Sequence, residues 1–549
     1  MSQLLLGPML RHVDSSTAAV WVQTDDACEV EVRVDGIDRT WSAPTFAVHG
    51  YHYALVEVEG LESGRTYPYS VTVDGRHAWP EDDDVRPPGT IRTFGESPLT
   101  FAFGSCRESV PHDAKHNASH GVDALRTLGL SLAEGDPEDI PDVLFLLGDQ
   151  VYADITSDEM REFIASRRSL DDGPGEELRD YVEYEHLYRL AWSEPHLRWV
   201  FATLPSSMIF DDHDIRDDWN TSAAWRKEMA GTPWWQERIV AGLGSYWVYQ
   251  HLGNLSIDER AEDPLWRELV ARRERDGGTE VDLTDVVDDF AARVNEEPDC
   301  YRFSYSREVK GSRVIVVDSR AARVVEDGER AMLDDAETAW LDEQMRGEFE
   351  HVFVGTSLPF LLTPGLHHVE AFNEALAEGA YGPLLVKPAE WLRQTVDLEH
   401  WAAFNRSFER VAAMATDVAD GNRGEPPRTV TFLSGDVHNS YVSEVVRQGG
   451  SQVLQLVCSP IRNPLPRFIR WMTATLGLAL AEPMTRLLVA FPGCRSRRSS
   501  GAGPTGRGST TRSRWSRSTV TTCGCGGSTA RSAATTRTTR DCVSRPTSR

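Results

Sequence analysis

The chain has 549 residues, a formal net charge of -28 and 40% hydrophobic residues, enough to bury a large core and to divide into more than one unit. Its acidity opposes binding to bare nucleic acid or to an anionic membrane, although acidity alone also serves solubility. Lysine is confined to Lys115, Lys227, Lys310 and Lys387, so an anionic substrate has to be met by a local cation.

The opening stretch, MSQLLLGPMLRHVDSS, has no basic leader region and no small-residue cleavage pattern. A secretory signal is therefore not expected, and the chain reads as cytoplasmic. AAVWVQT, EVEVRV, HYALVEVEG and TYPYSVTVDG follow, β-branched and aromatic, often alternating, with Asp/Gly turn signals between them. Residues 1–94 are thus expected to form a small all-β sandwich. Leu61 followed by ESGRTYPYSV resembles the strand-entry pattern of fibronectin type III domains, with Tyr67 as the corner tyrosine that ties a loop to the sandwich. EDDDVRPPGTIRTFGESP reads as a linker.

From Leu99 the pattern changes to apolar strands alternating with helical segments, as in an α/β sandwich. The expected strands are LTFAFGSC, DVLFLLGD, SMIFDDHD, SRVIVVDS, HVFVGTS, TVTFLSGD and QVLQLVCS. Five of them end in chemically capable side chains: Cys106; Asp149 with Tyr152; Asp211, Asp212 and His213; Asp318; and Asp436 with His438. Ligands bind beyond the carboxyl ends of parallel strands, so these ends are expected on one rim. One such turn is commonplace, but its repetition with Asp, His, Tyr and Cys points to a metal centre. Asp318 either supports a ligand or pairs with Arg320 or Arg323. Asp217 and Asp218 are expected to cap a helix or face solvent, and His367 and His368, in PGLHHVE, to lie on a surface loop. The segment from Ile257 to Asp299 and the loop from Leu361 to Lys387 are expected to wall the site.

Cys28, Cys106, Cys300 and Cys458 are too widely spaced for a disulfide framework. There is no P-loop, no G-x-G-x-x-G after a strand and no nucleophile elbow. The apolar run from Trp471 to Phe491 is broken by Glu482, Pro483 and Arg486, which favours two packing helices over a membrane span. Residues 492–549 carry 12 Arg, one acidic residue and hardly any aliphatic side chains. No core can form there, so the tail is expected to be disordered, either the product of a frame shift near Phe491 or a genuine basic tail that binds polyanions.

GSCRE, GDQVYAD, IFDDHDIRDDWN and LSGDVHNS, in that order, resemble the motifs of the PhoD-type alkaline phosphatases within the calcineurin-like metallophosphoesterases. The resemblance implies a four-layer metallophosphoesterase-like α/β sandwich over residues 99–491, preceded by the small all-β domain. It implies that Asp149 bridges two metals, that Cys106, Tyr152 and His438 hold a trivalent ion, and that Asp212 and Asp436 hold a divalent one. Fe3+ and Ca2+ are the cofactors the family implies, with Mn2+, Mg2+ or Zn2+ as substitutes. The donor chemistry agrees, since thiolate and phenolate suit a ferric ion and carboxylates suit calcium, magnesium or manganese.

The implied reaction is hydrolysis of a phosphate monoester or diester by water activated at two metals. His213 stands where the superfamily keeps a histidine that contacts the phosphate and protonates the leaving oxygen, with Asp211 or Asp214 to orient its ring. Arg107, in GSCRE, is the expected phosphate clamp. The expected partner is a small phosphate ester and the expected state a monomer. The alternative is a non-catalytic or damaged phosphatase-like protein with a scaffolding role, from which bound metal would distinguish an enzyme.

Overall fold

In the computed structural model, which describes residues 2–326, 329–382, 384–395, 398–464 and 518–521, the alternating apolar residues of the amino-terminal region form nine short strands. These are β1 (Leu4–Val13), β2 (Thr17–Thr24), β3 (Glu29–Val34), β4 (Thr40–Pro44), β5 (Phe46–Val48), β6 (Tyr51–Glu59), β7 (Thr66–Val73), β8 (Arg76–Trp79) and β9 (Thr90–Arg92). One sheet has the order β1-β2-β6-β5 and the other β4-β3-β7-β8, with β9 on β7. Val20, Val32, Val56 and Val71 are buried between them, the period-2 pattern of sheets that pack face to face. Tyr67 takes the expected corner role: its hydroxyl accepts the Glu62 N–H at 3.0 Å.

The apolar runs after Leu99 form two further sheets. β10 (Phe101–Gly104), β11 (Val143–Leu147) and β12 (Ser206–Ile209) run parallel in one. After β13 (Val281–Asp282), the other is built from β14 (Tyr305–Val309), β15 (Ser312–Val317), β16 (His351–Thr356), β17 (Thr429–Ser434), β18 (Tyr441–Val445), β19 (Gln452–Val457) and β20 (Ser518–Thr521). Its order is β14-β15-β16-β17-β19-β18-β20, with β15, β16, β17 and β19 parallel. The sheets pack against each other where Phe101 meets Phe353 edge to face at 5.1 Å. Helices Asp335–Gln344 and Asn405–Ala419 pack on β15, β17 and β19. The chain is thus an α/β sandwich preceded by an all-β domain, as expected.

The segment from Ile257 to Asp299 does not wall the site. β13 pairs with β5 of the amino-terminal sandwich, Leu283 N–H donates to Ala47 O at 2.8 Å and His49 N–H to Thr284 Oγ1 at 2.7 Å. The apolar face of helix Thr284–Glu296, with Val287, Phe290 and Val294, is buried, so hydrophobic burial draws the segment onto the sandwich. Sandwich and α/β unit share one continuous core. Buried Arg11 of β1 donates to Ser206 Oγ at 3.0 Å and Gln250 O at 2.5 Å, and Gln23 donates to Glu185 at 2.8 Å.

The segment Leu361–Lys387 is largely helical rather than a loop, and His367 and His368 lie on helix Pro364–Ala377. Proline in the first helical turn loses no intrahelical hydrogen bond, so the Pro-Gly pair starts this helix. Within the Arg-rich tail, Ser518–Thr521 depart from the expected disorder by pairing antiparallel with β18. Backbone pairing on a sheet edge needs no apolar core. The helices expected within Trp471–Phe491 and the rest of the tail lie outside the described residues. Among the described residues, no helix is long and apolar enough to cross a membrane.

Candidate metal centre

The strand ends carry unusual backbone. Cys106 after β10 (φ 56°), Asp149 after β11 (φ 51°), and Asp436 and His438 after β17 (φ 61° and 47°) are all left-handed. Non-glycine residues held there cost of order 1–3 kcal/mol each and cluster at functional sites. The ends are also pressed together. A Cβ on Gly148 (φ 105°) would stand 2.7 Å from Asp211 Cβ, and one on Gly435 would collide with the Ser105 side chain. Cys106 N–H donates to Gly148 O at 3.2 Å, and Gly435 N–H to Ser357 O at 2.9 Å.

This crowding brings Asp149, Asp211, Asp212 and Asp436 together, each with a carboxylate oxygen in a group lying within 4.8 Å of one another. Burial and the Asp211 charge push Asp149 well above the ordinary carboxylate range. Burial outweighs the neighbouring Arg320 and pushes Asp211 up to about 8, and it raises Asp212 as well. Burial acts in the same sense on Asp436, yet the His400 imidazole holds that carboxyl below its ordinary value. Asp149 Oδ1 and Asp211 Oδ2 are buried with no hydrogen-bond partner. Carboxylates that repel one another while keeping unpartnered buried oxygens fit a cation.

The softer donors sit beside this group. Hydroxyls of Ser105 and Ser459 lie 3.1 and 3.2 Å from the Cys106 sulfur. Burial, then the Asp149 and Asp436 charges, pushes that thiol well above its ordinary value, while the two hydroxyls favour the thiolate. The Tyr152 ring stacks on His213 at 4.6 Å. Its hydroxyl and His438 Nδ1 are buried, with Asn463 beside both residues. Burial pushes the phenol up, with the nearby Cys106 and Asp149 adding to the effect. These sulfur, phenol and imidazole donors lie outside the group of four carboxylates, which could by itself hold a metal ion.

His213 Nδ1 lies 2.9 Å from Asp154 Oδ2. Burial opposes charging this ring, but Asp154 prevails and holds it well above its ordinary value. The orienting carboxylate is therefore Asp154, not Asp211 or Asp214. Asp211 is engaged by Arg320, and Asp214 accepts the N–H groups of Asp149 and Asp211, both at 2.9 Å. The Asp217 and Asp218 N–H groups donate to Asp154 at 2.7 Å and Asp212 at 3.0 Å, while the Asp217 carboxylate faces solvent as expected.

Arg107 does not reach the rim as a phosphate clamp. It is 3% exposed, with Nε on Asp123 and Nη1 on Ala191 O, both at 2.9 Å. Asp123, which caps helix Ala124–Glu134, offers it a buried countercharge. The cation at the carboxylate group is Arg320, whose Nε pairs with Asp211 and whose Nη2 lies 3.2 Å from Asp212 Oδ1. Glu399 accepts from both Nη1 and Nη2 of this guanidinium, from Nη2 at 2.7 Å. Asp318 does not take the guanidinium; it accepts the Arg320 and Ala321 N–H groups at 2.7 and 2.9 Å, fixing the turn that aims Arg320. His400 joins Asp436 at 3.0 Å to Glu370 at 2.7 Å. Sequence reasoning missed Asp154, Glu370, Glu399 and His400. The adjacent charged pair Glu399-His400 before the apolar WAAF was the one local signal.

Fold and rim together define an α/β sandwich protein whose strand ends could hold a metal ion. The family of PhoD-like phosphatases matches residues 132–468, and a domain of unknown function, DUF7800, matches residues 1–91. The chain belongs to the PhoD-like phosphatase family. It is similar to a solved structure titled "Structure of PhoD", with 15% identity, coverage of 83% of this chain and 77% of that chain, and a TM-score of 0.54, which shows the fold. A type III pullulan hydrolase from Thermococcus kodakarensis is 12% identical over 79% of this chain and 80% of its own, but with a TM-score of 0.14 it carries no argument. No curated protein matches the chain.

Proposed function

We propose that the chain hydrolyses small phosphate esters, monoester or diester, with the help of metal ions held at the rim of its two facing sheets. The observation that carries this reading is the convergence of Asp149, Asp211, Asp212 and Asp436 within 4.8 Å in a PhoD-like phosphatase. Cys106, Tyr152 and His438 would hold Fe3+, Asp212 and Asp436 would hold Ca2+ or a substitute Mn2+, Mg2+ or Zn2+, and Asp149 would be shared. Bound there, the ions supply Lewis-acid polarisation of the phosphoryl group and a lowered pKa for water.

The remaining work falls to the chain. His213, oriented by Asp154, donates a proton to the leaving oxygen. Arg320 keeps Asp211 and Asp212 close despite their repulsion, and Glu370 fixes Asp436 through His400. The test is to count iron, calcium, manganese and zinc per purified chain and to follow hydrolysis of p-nitrophenyl phosphate and bis(p-nitrophenyl) phosphate. Bound iron with a divalent ion, and turnover of either ester, are expected. A metal-loaded chain that hydrolyses neither, nor any other phosphate ester offered, overturns the reading.

A further inference from the structure

A cavity of about 710 Å³ opens beside helix Ala223–Ala230, within the size range of small-molecule sites. Lys227, Arg330, Arg393 and Arg406 line it. In a chain of net charge -28 this is a local inversion of sign, and such inversions concentrate anions. Two carboxylates also face the cavity, Glu378 and Glu390. Glu378 is exposed to water, and Glu390 lies 2.8 Å from Arg393 Nη1.

The decisive groups are Arg330 and Arg393, which are only 8% and 1% exposed. Arg330 lies over the Phe404 ring at 4.5 Å and donates through Nη1 to Thr221 O at 3.1 Å, while its Nε and Nη2 are buried without an acceptor. Arg393 likewise leaves Nε and Nη2 unpaired. Buried guanidinium donors are seldom left unmatched, and the planar Nε/Nη2 edge fits two oxygens of a phosphate. The first turn of helix Ala223–Ala230 also lines the cavity and adds the positive end of its dipole.

We propose that this cavity is a second anion site, separate from the metal rim, that binds the phosphate group of a small molecule. It is joined to the rim by a short chain of contacts. Arg330 holds Thr221, Thr221 Oγ1 donates to Glu399 at 2.8 Å, and Glu399 anchors Arg320. The phosphate comes either from a second phosphoryl group of the substrate or from free phosphate acting as an effector.

Titration calorimetry of the full purified chain with inorganic phosphate tests this without requiring turnover, so it stands or falls apart from the proposed hydrolysis. Phosphate binding is expected to persist in Asp149→Asn and to weaken roughly tenfold or more in the double variant Lys227→Glu/Arg406→Glu, whose sites are exposed and do not disturb the core. Arg393→Met is expected to remove it. Binding that disappears in Asp149→Asn, binding indifferent to the double variant, or no binding at millimolar phosphate overturns the proposal. If KM for a bisphosphate ester rises in the double variant while that for p-nitrophenyl phosphate does not, the phosphate is the substrate's. If both stay unchanged while calorimetric binding weakens, it is the free ion.

Discussion

Asp149 carries the sharpest separation between folding and function. Its buried carboxylate repels three neighbours, so Asp149→Asn relieves charge while removing the donor proposed to be shared between metals. Metal-free Asp149→Asn is expected to melt at or above the wild-type temperature, while hydrolysis falls well beyond the roughly 10- to 100-fold loss typical of a residue behind the ligands. Equal activity would remove Asp149 from the metal set. For His213 the leaving group discriminates. Asp154→Asn and His213→Asn are expected to slow an alkyl phosphate by about 10² to 10⁴ and p-nitrophenyl phosphate far less, because nitrophenolate leaves without a proton. A uniform loss on both esters would remove proton transfer to the leaving group from the role of His213.

His251 offers a test of stability away from the rim. It is packed among Tyr246, Tyr301 and Phe303 with both ring nitrogens unpartnered, and burial pushes it down to about 3. Its folded value is depressed, so above the unfolded value of about 6.5 the ring is neutral in both states and adds no pH dependence. As the pH falls below that, the unfolded chain takes up the proton first, and stability drops by up to about 1.4 kcal/mol per pH unit until the folded value near 3 is reached. His251→Phe is expected to flatten this acid limb in urea melts, and an unchanged slope would contradict the assignment.

The meeting of strand ends rests on absent side chains as much as on present ones. Gly435 follows β17 where Ser105, which follows β10, accepts the Asp436 N–H at 3.0 Å. Gly435→Ala drives a methyl into the Ser105 side chain and is expected to cost about 1–3 kcal/mol, with loss of bound metal, in thermal melts and metal counts. Removing the obstacle in Gly435→Ala/Ser105→Gly is expected to recover part of that stability. Strict additivity in the cycle would show that the two strand ends do not press on each other.

The whole chain is held by an interface that is core rather than linker. Because the sandwich and the α/β unit share buried apolar contacts and Arg11 reaches between them, calorimetry on metal-free chain is expected to show one unfolding transition. Arg11→Met leaves the Gln250 carbonyl without that donor and is expected to lower the midpoint of this single transition. Two resolved transitions in the wild type would mean that the units unfold independently.

Much of this was legible before any tertiary contact. Strand periodicity in DVLFLLGD or TVTFLSGD is a local property, and so is the Asp that ends each run; the α/β plan and the gathering of Asp149, Asp212 and Asp436 follow from it. What local pattern could not decide is which charges find each other. Arg320 and Asp211 are 109 positions apart, Glu370 and His400 are 30 apart, and the partner of His213 lies 59 residues upstream at Asp154. Arg107 and the Ile257–Asp299 segment go elsewhere than their sequence suggests for the same reason. A buried charge goes wherever the packed chain supplies a countercharge, and an amphipathic helix onto whatever apolar surface is left, and both are settled only when distant segments meet.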